Sequence, residues 1–211
     1  MTVRITTHLK RKTPIIIRTD GYKTMVESLY RKKRNVFLGR SNWHSMAEIY
    51  LMDRLLYKNK FNRIIELGTM AGGMTLIFGI HALKMGADVK TFDIRAEPKD
   101  VVWKNLMKAL PITHHAVDVF GDEAHELIKN YMREGRVLLY CDNGKKIDEF
   151  NTYSKYLKSG DIVMTHDRPG EIKLSDIEES VVKYNLKPMY GLELLTYGAS
   201  EMCFIRGDDS D

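Results

Sequence analysis

Two polar segments of the sequence hold residue types that can move a proton or bind a cation. Asp142-Asn143-Gly144-Lys145 and Thr165-His166-Asp167-Arg168 each come directly after an apolar run. Carboxylates such as those of Asp142 and Asp167 suit a hard divalent cation, whereas His166 can take up a proton near neutral pH or ligate a softer ion. The alternatives are a hydrogen-bonded structural histidine and, for Lys145, an exposed lysine at the start of a helix.

A glycine-rich turn indicates a nucleotide-like ligand. The run from Arg63 to Leu67 leads into Gly68, and the whole turn reads Glu66-Leu67-Gly68-Thr69-Met70-Ala71-Gly72-Gly73. Glycines between a strand and a helix let the backbone turn sharply and approach a ligand closely. The spacing is not that of a dinucleotide fingerprint, and Met74 stands where a phosphate-binding loop would need lysine.

Two acidic residues follow the next strands in the order that a nucleoside site requires. Asp93 ends a strand twenty residues after Gly73, where a carboxylate can accept both ribose hydroxyls. Asp118 follows the next strand, where an adenine ring would lie. The alternative is that Gly68 and Gly73 only permit tight strand–helix packing, and that Asp93 caps a helix.

The elements that must position these residues alternate from residue 61 onward, which predicts βαβ units and a parallel sheet. Strands are expected at 63–67, 88–93, 112–117, 137–141 and 161–165, and helices near 70–85, 98–109, 121–133, 147–157 (stopped by Gly160) and 173–184. The last two apolar runs, 186–195 and 201–206, have no helix between them and should pair antiparallel. We therefore expect an α/β, Rossmann-like doubly wound sheet, mostly parallel, with a C-terminal antiparallel hairpin.

The first forty residues differ from the rest. Residues 1–60 carry a formal net charge of +10 and the remaining residues one of −5, so the net charge of the whole chain is only +5. We expect residues 1–40 to form a basic lid or interface segment and residues 41–211 to form the domain. Ile15–Ile17 is a possible strand. The segment from Trp43 to Tyr57 predicts an amphipathic helix, whose apolar face is expected to hold Trp43, Met46, Ala47, Tyr50, Leu51 and Leu55.

The glycine turn and the C-terminal hairpin resemble class I S-adenosylmethionine-dependent methyltransferases. The turn is most similar to that of the cephalosporin hydroxylase/rhamnosyl O-methyltransferase family, and the similarity extends from about residue 36 to 168. The resemblance implies that S-adenosylmethionine binds at the glycine turn and the strand ends beyond it. The expected cofactor-binding residues are Glu66, Gly68, Thr69, Gly72, Gly73, Asp93, Asp118 and Asp142.

Catechol-type O-methyltransferases resemble the chain at the two polar segments as well. This likeness implies that Asp142 and Asp167 hold Mg²⁺ or another divalent cation and that Lys145 is the catalytic base. Arg168 replaces the second metal ligand of those enzymes, and Arg is a poor substitute for an oxygen ligand. His166 is the other expected catalytic residue, either as a base or as a ligand for a softer ion.

Composition sets the remaining expectations. No apolar run approaches the roughly 20 residues that cross a bilayer, so no membrane partner is expected. Cys141 and Cys203 lie in apolar runs, which favours buried thiols and a reducing cytoplasm. We expect methyl transfer to a hydroxyl of a small molecule, and a homo-oligomer is possible. The alternatives are a nucleic-acid methyltransferase that uses the basic segment as an arm, and a catalytically silent partner subunit.

Overall fold

The structure, a computed structural model, describes residues 35–95, 100–189 and 200–208, together with the backbone of two N-terminal strands. The strands are β1 Thr2–Ile5, β2 Ile15–Arg18, β3 Asn35–Phe37, β4 Arg40–Asn42, β5 Arg63–Leu67, β6 Asp88–Asp93, β7 Ile112–Ala116, β8 Val137–Cys141, β9 Ile162–Thr165, β10 Leu186–Pro188 and β11 Met202–Arg206. The helices are α1 Met46–Lys58, α2 Gly73–Met85, α3 Val101–Ala109, α4 Asp122–Met132, α5 Lys146–Tyr153 and α6 Leu174–Lys183.

Seven strands form the central sheet, in the order β10-β11-β9-β8-β5-β6-β7. The pairs β5–β6, β6–β7, β5–β8 and β8–β9 are parallel, whereas β11 pairs antiparallel with both β9 and β10. The mostly parallel α/β sheet and its antiparallel C-terminal strand pair are thus confirmed. The sheet order reverses between β5 and β8, which places a crevice at the carboxyl ends of these strands.

The central strands are apolar on both faces because helices cover the sheet on both sides. Every residue of β8 and β9 is buried. One core lies around Phe78, Trp103 and Tyr140, and the other around Phe92, Phe150 and Tyr153. Both predicted buried thiols, Cys141 and Cys203, are buried and free. Among the described residues, no helix is long and apolar enough to cross a membrane.

The helix predicted from Trp43 begins later, at Met46, because Ser45 caps it. The Ser45 side chain accepts from the Glu48 N–H, and Glu48 in return accepts from the Ser45 N–H, which is a capping box. The predicted apolar face was wrong in part. Trp43, Met46 and Tyr50 are exposed, while the buried residues of α1 are Ala47, Glu48, Met52, Leu55 and Leu56.

Two further expectations change in detail. Gly160 does not stop α5, which ends at Tyr153 and continues as one 3-10 turn to Tyr156; Gly160 lies in the turn before β9. The predicted run to residue 195 is described only as far as 189, where β10 has already ended, and residues 190–199 lie outside the described residues.

The basic N-terminal segment is described only in part. The possible strand at Ile15–Ile17 is present as β2, which pairs antiparallel with β1. The proposed boundary after residue 40 falls inside the β3–β4 hairpin, which extends to Asn42. Its role as a lid or interface stays a prediction.

Candidate active site

A cavity of about 690 Å³ opens at the carboxyl ends of the parallel strands. This edge is where open α/β sheets bind their ligands. The lining brings together the turn after β5, the end of β6 and both predicted polar segments. Its residues are Trp43, Gly68, Met70, Asp93, Ile94, Arg95, Asp142, Asn143, Gly144, Lys146, His166, Asp167 and Glu171.

The glycine turn is held by close packing that excludes larger side chains. Gly72 has a φ of +80°, and a Cβ there would lie 2.0 Å from the ring of Trp103. Gly68 has a φ of +106°, and a Cβ there would meet the backbone of Asp142. Arg40 donates from Nε to the carbonyl of Ala71 at 2.7 Å. The turn is therefore fixed by packing and by this hydrogen bond.

Asp93 sits at the end of β6 with its carboxylate oriented by the backbone. One oxygen accepts from the Met70 N–H at 2.8 Å and the other from the Arg95 N–H at 2.9 Å. Each oxygen keeps a second lone pair for a ligand hydroxyl. The side chain lines the cavity, as the ribose-binding prediction requires.

Glu66 lies beneath the turn and is fully buried. Its Oε2 accepts from the hydroxyls of Thr75 and Thr91, both at 2.6 Å, and the Thr91 hydroxyl also contacts that of Thr69 at 2.6 Å. Burial raises the pKa of Glu66 to about 8, although both hydroxyls act in the opposite direction. Glu66 is therefore largely protonated at neutral pH and organises the turn from below.

Asp142 is the centre of the polar cluster. Its Oδ1 lies 3.2 Å from Nδ1 of His166 and 3.5 Å from Nζ of Lys146, and its Oδ2 lies 3.3 Å from Nε2 of His44. Burial alone would raise the pKa of Asp142, but the hydrogen bonds and charges of the two histidines outweigh it and hold that pKa well below its usual value. Asp142 is thus a partly buried, ionised carboxylate.

Asp167 joins the same cluster from the end of β9. Its Oδ2 lies 3.1 Å from Nζ of Lys146 and 3.3 Å from Nδ1 of His166. Asp142 and Asp167 therefore share two cationic partners, as expected for residues that follow adjacent parallel strands. Whether they hold a metal ion stays a prediction.

Lys146 is the lysine that reaches the carboxylates. Its Nζ also lies 2.6 Å from Glu171, and its side chain is only 5% exposed. Burial would lower the pKa of Lys146, but the charge of Asp142 and the bonds to Glu171 and Asp167 raise it above its usual value. The predicted Lys145 lies elsewhere, with its Nζ 5.4 Å from the Phe120 ring centroid. Lys146 rather than Lys145 reaches the carboxylates because α5 begins at Lys146, and this first helical residue points its side chain inward.

His166 lies against three carboxylates, those of Asp142, Asp167 and Glu48. Burial would lower its pKa, but these partners raise it to about 12. The ring is therefore cationic at neutral pH, which does not suit the predicted role of a free base. It supplies positive charge to the cavity instead.

Asp118 does not line the cavity. Its carboxylate is exposed and accepts from the Phe120 N–H at 3.0 Å, which closes the turn before α4. A contact with an adenine ring at this position stays a prediction.

His44 is a cluster member that the sequence analysis missed. It is buried, its Nδ1 lies 2.5 Å from the amide oxygen of Asn42, and its Nε2 lies 2.6 Å from the hydroxyl of Tyr140. Its ring lies against that of His166, with 4.2 Å between the centroids and the two planes tilted by 34°. No sequence pattern marked it, because it lies in an irregular stretch between β4 and α1.

Several solved structures have a similar fold. CmcI without ligand shares 14% identity, with 97% of this chain and 90% of that chain covered and a TM-score of 0.55. A CmcI form with magnesium and S-adenosylmethionine shares 14%, with 96% and 90% covered and a TM-score of 0.53. A putative caffeoyl-CoA O-methyltransferase from Staphylococcus aureus shares 12%, with 88% and 91% covered and a TM-score of 0.52. The chain has the class I methyltransferase fold.

The methyltransferase fold is what these comparisons establish, since identities of 12–14% carry the architecture alone. No protein-family model and no curated protein sequence matches the chain. The activity must therefore be argued from the site.

Proposed function

We propose that the chain transfers a methyl group from S-adenosylmethionine to a hydroxyl oxygen of a small molecule. The observation that carries this proposal is the cavity itself. It has a backbone-oriented carboxylate, Asp93, beside the glycine turn, and a charged cluster around Asp142 in the same space. A volume of about 690 Å³ lies within the range of small-molecule sites.

The residues present fit the cofactor. Asp93 has one free lone pair on each carboxylate oxygen for the two ribose hydroxyls. The turn from Gly68 to Gly73 presents backbone rather than bulky side chains to the cavity, apart from Met70. S-Adenosylmethionine supplies an activated methyl group on a sulfonium centre.

The polar cluster is arranged to prepare an acceptor oxygen. We assign Asp142 as the group that accepts the hydrogen bond of the acceptor hydroxyl and orients its oxygen towards the methyl donor; the hydroxyl proton passes to solvent water as the new C–O bond forms. Lys146 and His166, both held cationic, stabilise the negative charge that develops on that oxygen. Asp167 and Glu171 fix Lys146 in place.

Lys146 also takes the position that a magnesium ion between Asp142 and Asp167 would need. Its Nζ lies within 3.5 Å of both carboxylates, so their repulsion is already relieved. We propose that this lysine replaces the divalent cation. The second candidate is a Mg²⁺-dependent enzyme, which the convergence of the two carboxylates favours. Mg²⁺ added to EDTA-treated protein separates the two, because only the second predicts a saturable rise in rate.

The experiment that tests the function uses the full chain as purified. Denaturation of the protein is expected to release S-adenosylhomocysteine or S-adenosylmethionine, which mass spectrometry detects. The protein is then incubated with methyl-labelled S-adenosylmethionine and a panel of phenols, sugars and nucleic acids. Label in a phenol or sugar supports the proposal. Label in nucleic acid alone supports the alternative acceptor, and no label in any acceptor supports a silent subunit.

A further inference from the structure

A second cluster of potential metal ligands lies beside Nε2 of His166, the ring nitrogen that does not contact Asp142. Its members are Glu48 of α1, His166 after β9, and Glu201 before β11, and they are 0%, 3% and 1% exposed. One ligand atom from each lies within 4.8 Å of the other two. The Nε2 atom of His166 is 3.5 Å from Oε1 of Glu48.

Three atoms of this cluster lack a hydrogen bond. They are the two carboxylate oxygens of Glu201 and Nε2 of His166, which have no hydrogen-bond partner within the part of the chain that the structure describes. An ionised carboxylate buried without partners is strongly unfavourable, and burial raises the pKa of Glu201 well above its usual range, so this carboxyl either stays neutral or pairs with a cation. Glu48 differs, because its two oxygens accept from the backbone N–H groups of Ser45 and Ser200, which fix its position.

The His166 ring has the orientation of a metal ligand. Its Nδ1 lies 3.2 Å from Asp142. Metal-binding histidines almost always donate one ring N–H to a carboxylate and turn the other nitrogen to the metal. Here that other nitrogen, Nε2, faces Glu48, and Glu201 lies in the same cluster.

We propose that Glu48, His166 and Glu201 bind a divalent transition-metal ion of the Zn²⁺ or Mn²⁺ type. A site with one imidazole nitrogen and carboxylate oxygens suits these ions better than Mg²⁺ or Ca²⁺. Zn²⁺ at about 2.1 Å from each of two tetrahedral ligands places them about 3.4 Å apart, close to the 3.5 Å between His166 and Glu48.

The ion would tie α1 to the segments at the ends of β9 and β11. It takes the place of the proton that Nε2 otherwise carries, so the ring keeps a positive neighbour while Nδ1 continues to donate to Asp142. The ion thereby fixes His166 at the edge of the candidate active site. The proposal does not rest on methyl transfer, because its readout is metal binding without cofactor.

Equilibrium dialysis of the chelator-treated full chain against Zn²⁺ tests the site, with metal counted by mass spectrometry. Wild type is expected to bind one tightly held ion. Glu201→Gln should weaken its affinity by at least about tenfold, since loss of even an outer-shell partner has that effect. Asp167→Asn should weaken it less than Glu201→Gln does, because Asp167 contacts only Nδ1 of His166. Glu149→Gln should retain it; Glu149 is a buried glutamate of α5 outside the cluster.

The opposite pattern overturns the proposal. An affinity that falls in Asp167→Asn and not in Glu201→Gln places the ion between Asp142 and Asp167 instead, and a wild type that binds no ion removes the site. Anomalous diffraction from Zn²⁺-soaked wild-type crystals covers the case of a variant that does not fold. A zinc peak in contact with Glu201 supports the proposal, and a peak elsewhere or none contradicts it.

Discussion

Asp142 and His166 follow neighbouring parallel strands, and Oδ1 of Asp142 lies 3.2 Å from Nδ1 of His166. This contact joins the two polar segments that stood 24 residues apart in sequence. It keeps Asp142 ionised and His166 cationic, so the cavity contains paired charges rather than a neutral base. The proposed methyl transfer therefore depends on which cationic side chains contact Asp142.

Adjacent lysines offer a matched test of this arrangement. Lys146→Gln should lower the rate of methyl transfer by about a hundredfold or more, because it removes a charge that stabilises the developing oxyanion. Lys145→Gln should leave the rate close to wild type, since Lys145 lies over Phe120. Steady-state rates with an acceptor from the labelling panel measure both, after circular dichroism shows that each variant folds. A larger loss in Lys145→Gln would restore the original assignment of the base.

Two glycines test whether the turn is fixed by packing. Gly72→Ala should lower the free energy of unfolding by about 1–3 kcal/mol, because a Cβ meets the Trp103 ring and the φ of +80° disfavours alanine. Gly144→Ala is the control, since no atom lies within 4 Å of its Cβ position, and should change stability by less than about 0.5 kcal/mol. Urea unfolding measures both. Equal stabilities would show that Trp103 does not pack against the turn.

The raised pKa of Glu66 should make the free energy of unfolding depend on pH. Its folded pKa of about 8 exceeds the ordinary glutamate pKa of 4.5, so between these pH values the folded state binds more protons than the unfolded state. The free energy of unfolding should therefore fall as pH rises through this window, by up to about 1.4 kcal/mol per unit from this one group.

Glu66→Gln should remove that contribution, because glutamine mimics the neutral acid and its oxygen can accept from both threonines. The variant should thus gain stability relative to wild type from pH 5 to about pH 8, as measured by urea unfolding at each pH. Glu178→Gln, at an exposed position of α6, should show no such trend. A constant difference between wild type and Glu66→Gln across the window would contradict a protonated Glu66.

The fold was predictable because its signals are local. Apolar runs between polar helices indicated each strand of the parallel sheet, and the lack of a helical sequence pattern between the last two apolar runs indicated the antiparallel end. The exact residue at which a helix begins was not predictable, because it depends on which of several neighbouring polar residues caps the helix, as Ser45 does for α1.

The candidate site was predictable only where position along a strand decides it. Asp93, Asp142 and Asp167 come at strand ends and therefore reach the crevice. The choice between Lys145 and Lys146 depends on the first turn of α5, which shifts a side chain by about 100° per residue. Glu48, His44 and Glu201 come from other parts of the chain, and only the tertiary structure brings them together with His166.

The most direct test of the account is the binding of S-adenosylmethionine, measured by isothermal titration calorimetry. Wild type should bind in the low-micromolar range or tighter. Asp93→Ala should weaken binding by about ten- to a hundredfold, or roughly 1–3 kcal/mol, because it removes the ribose acceptor. Asp88→Ala, at the exposed opposite end of β6, should bind like wild type. No binding by wild type, or equal binding by Asp93→Ala, would contradict the assignment of this cavity to the cofactor.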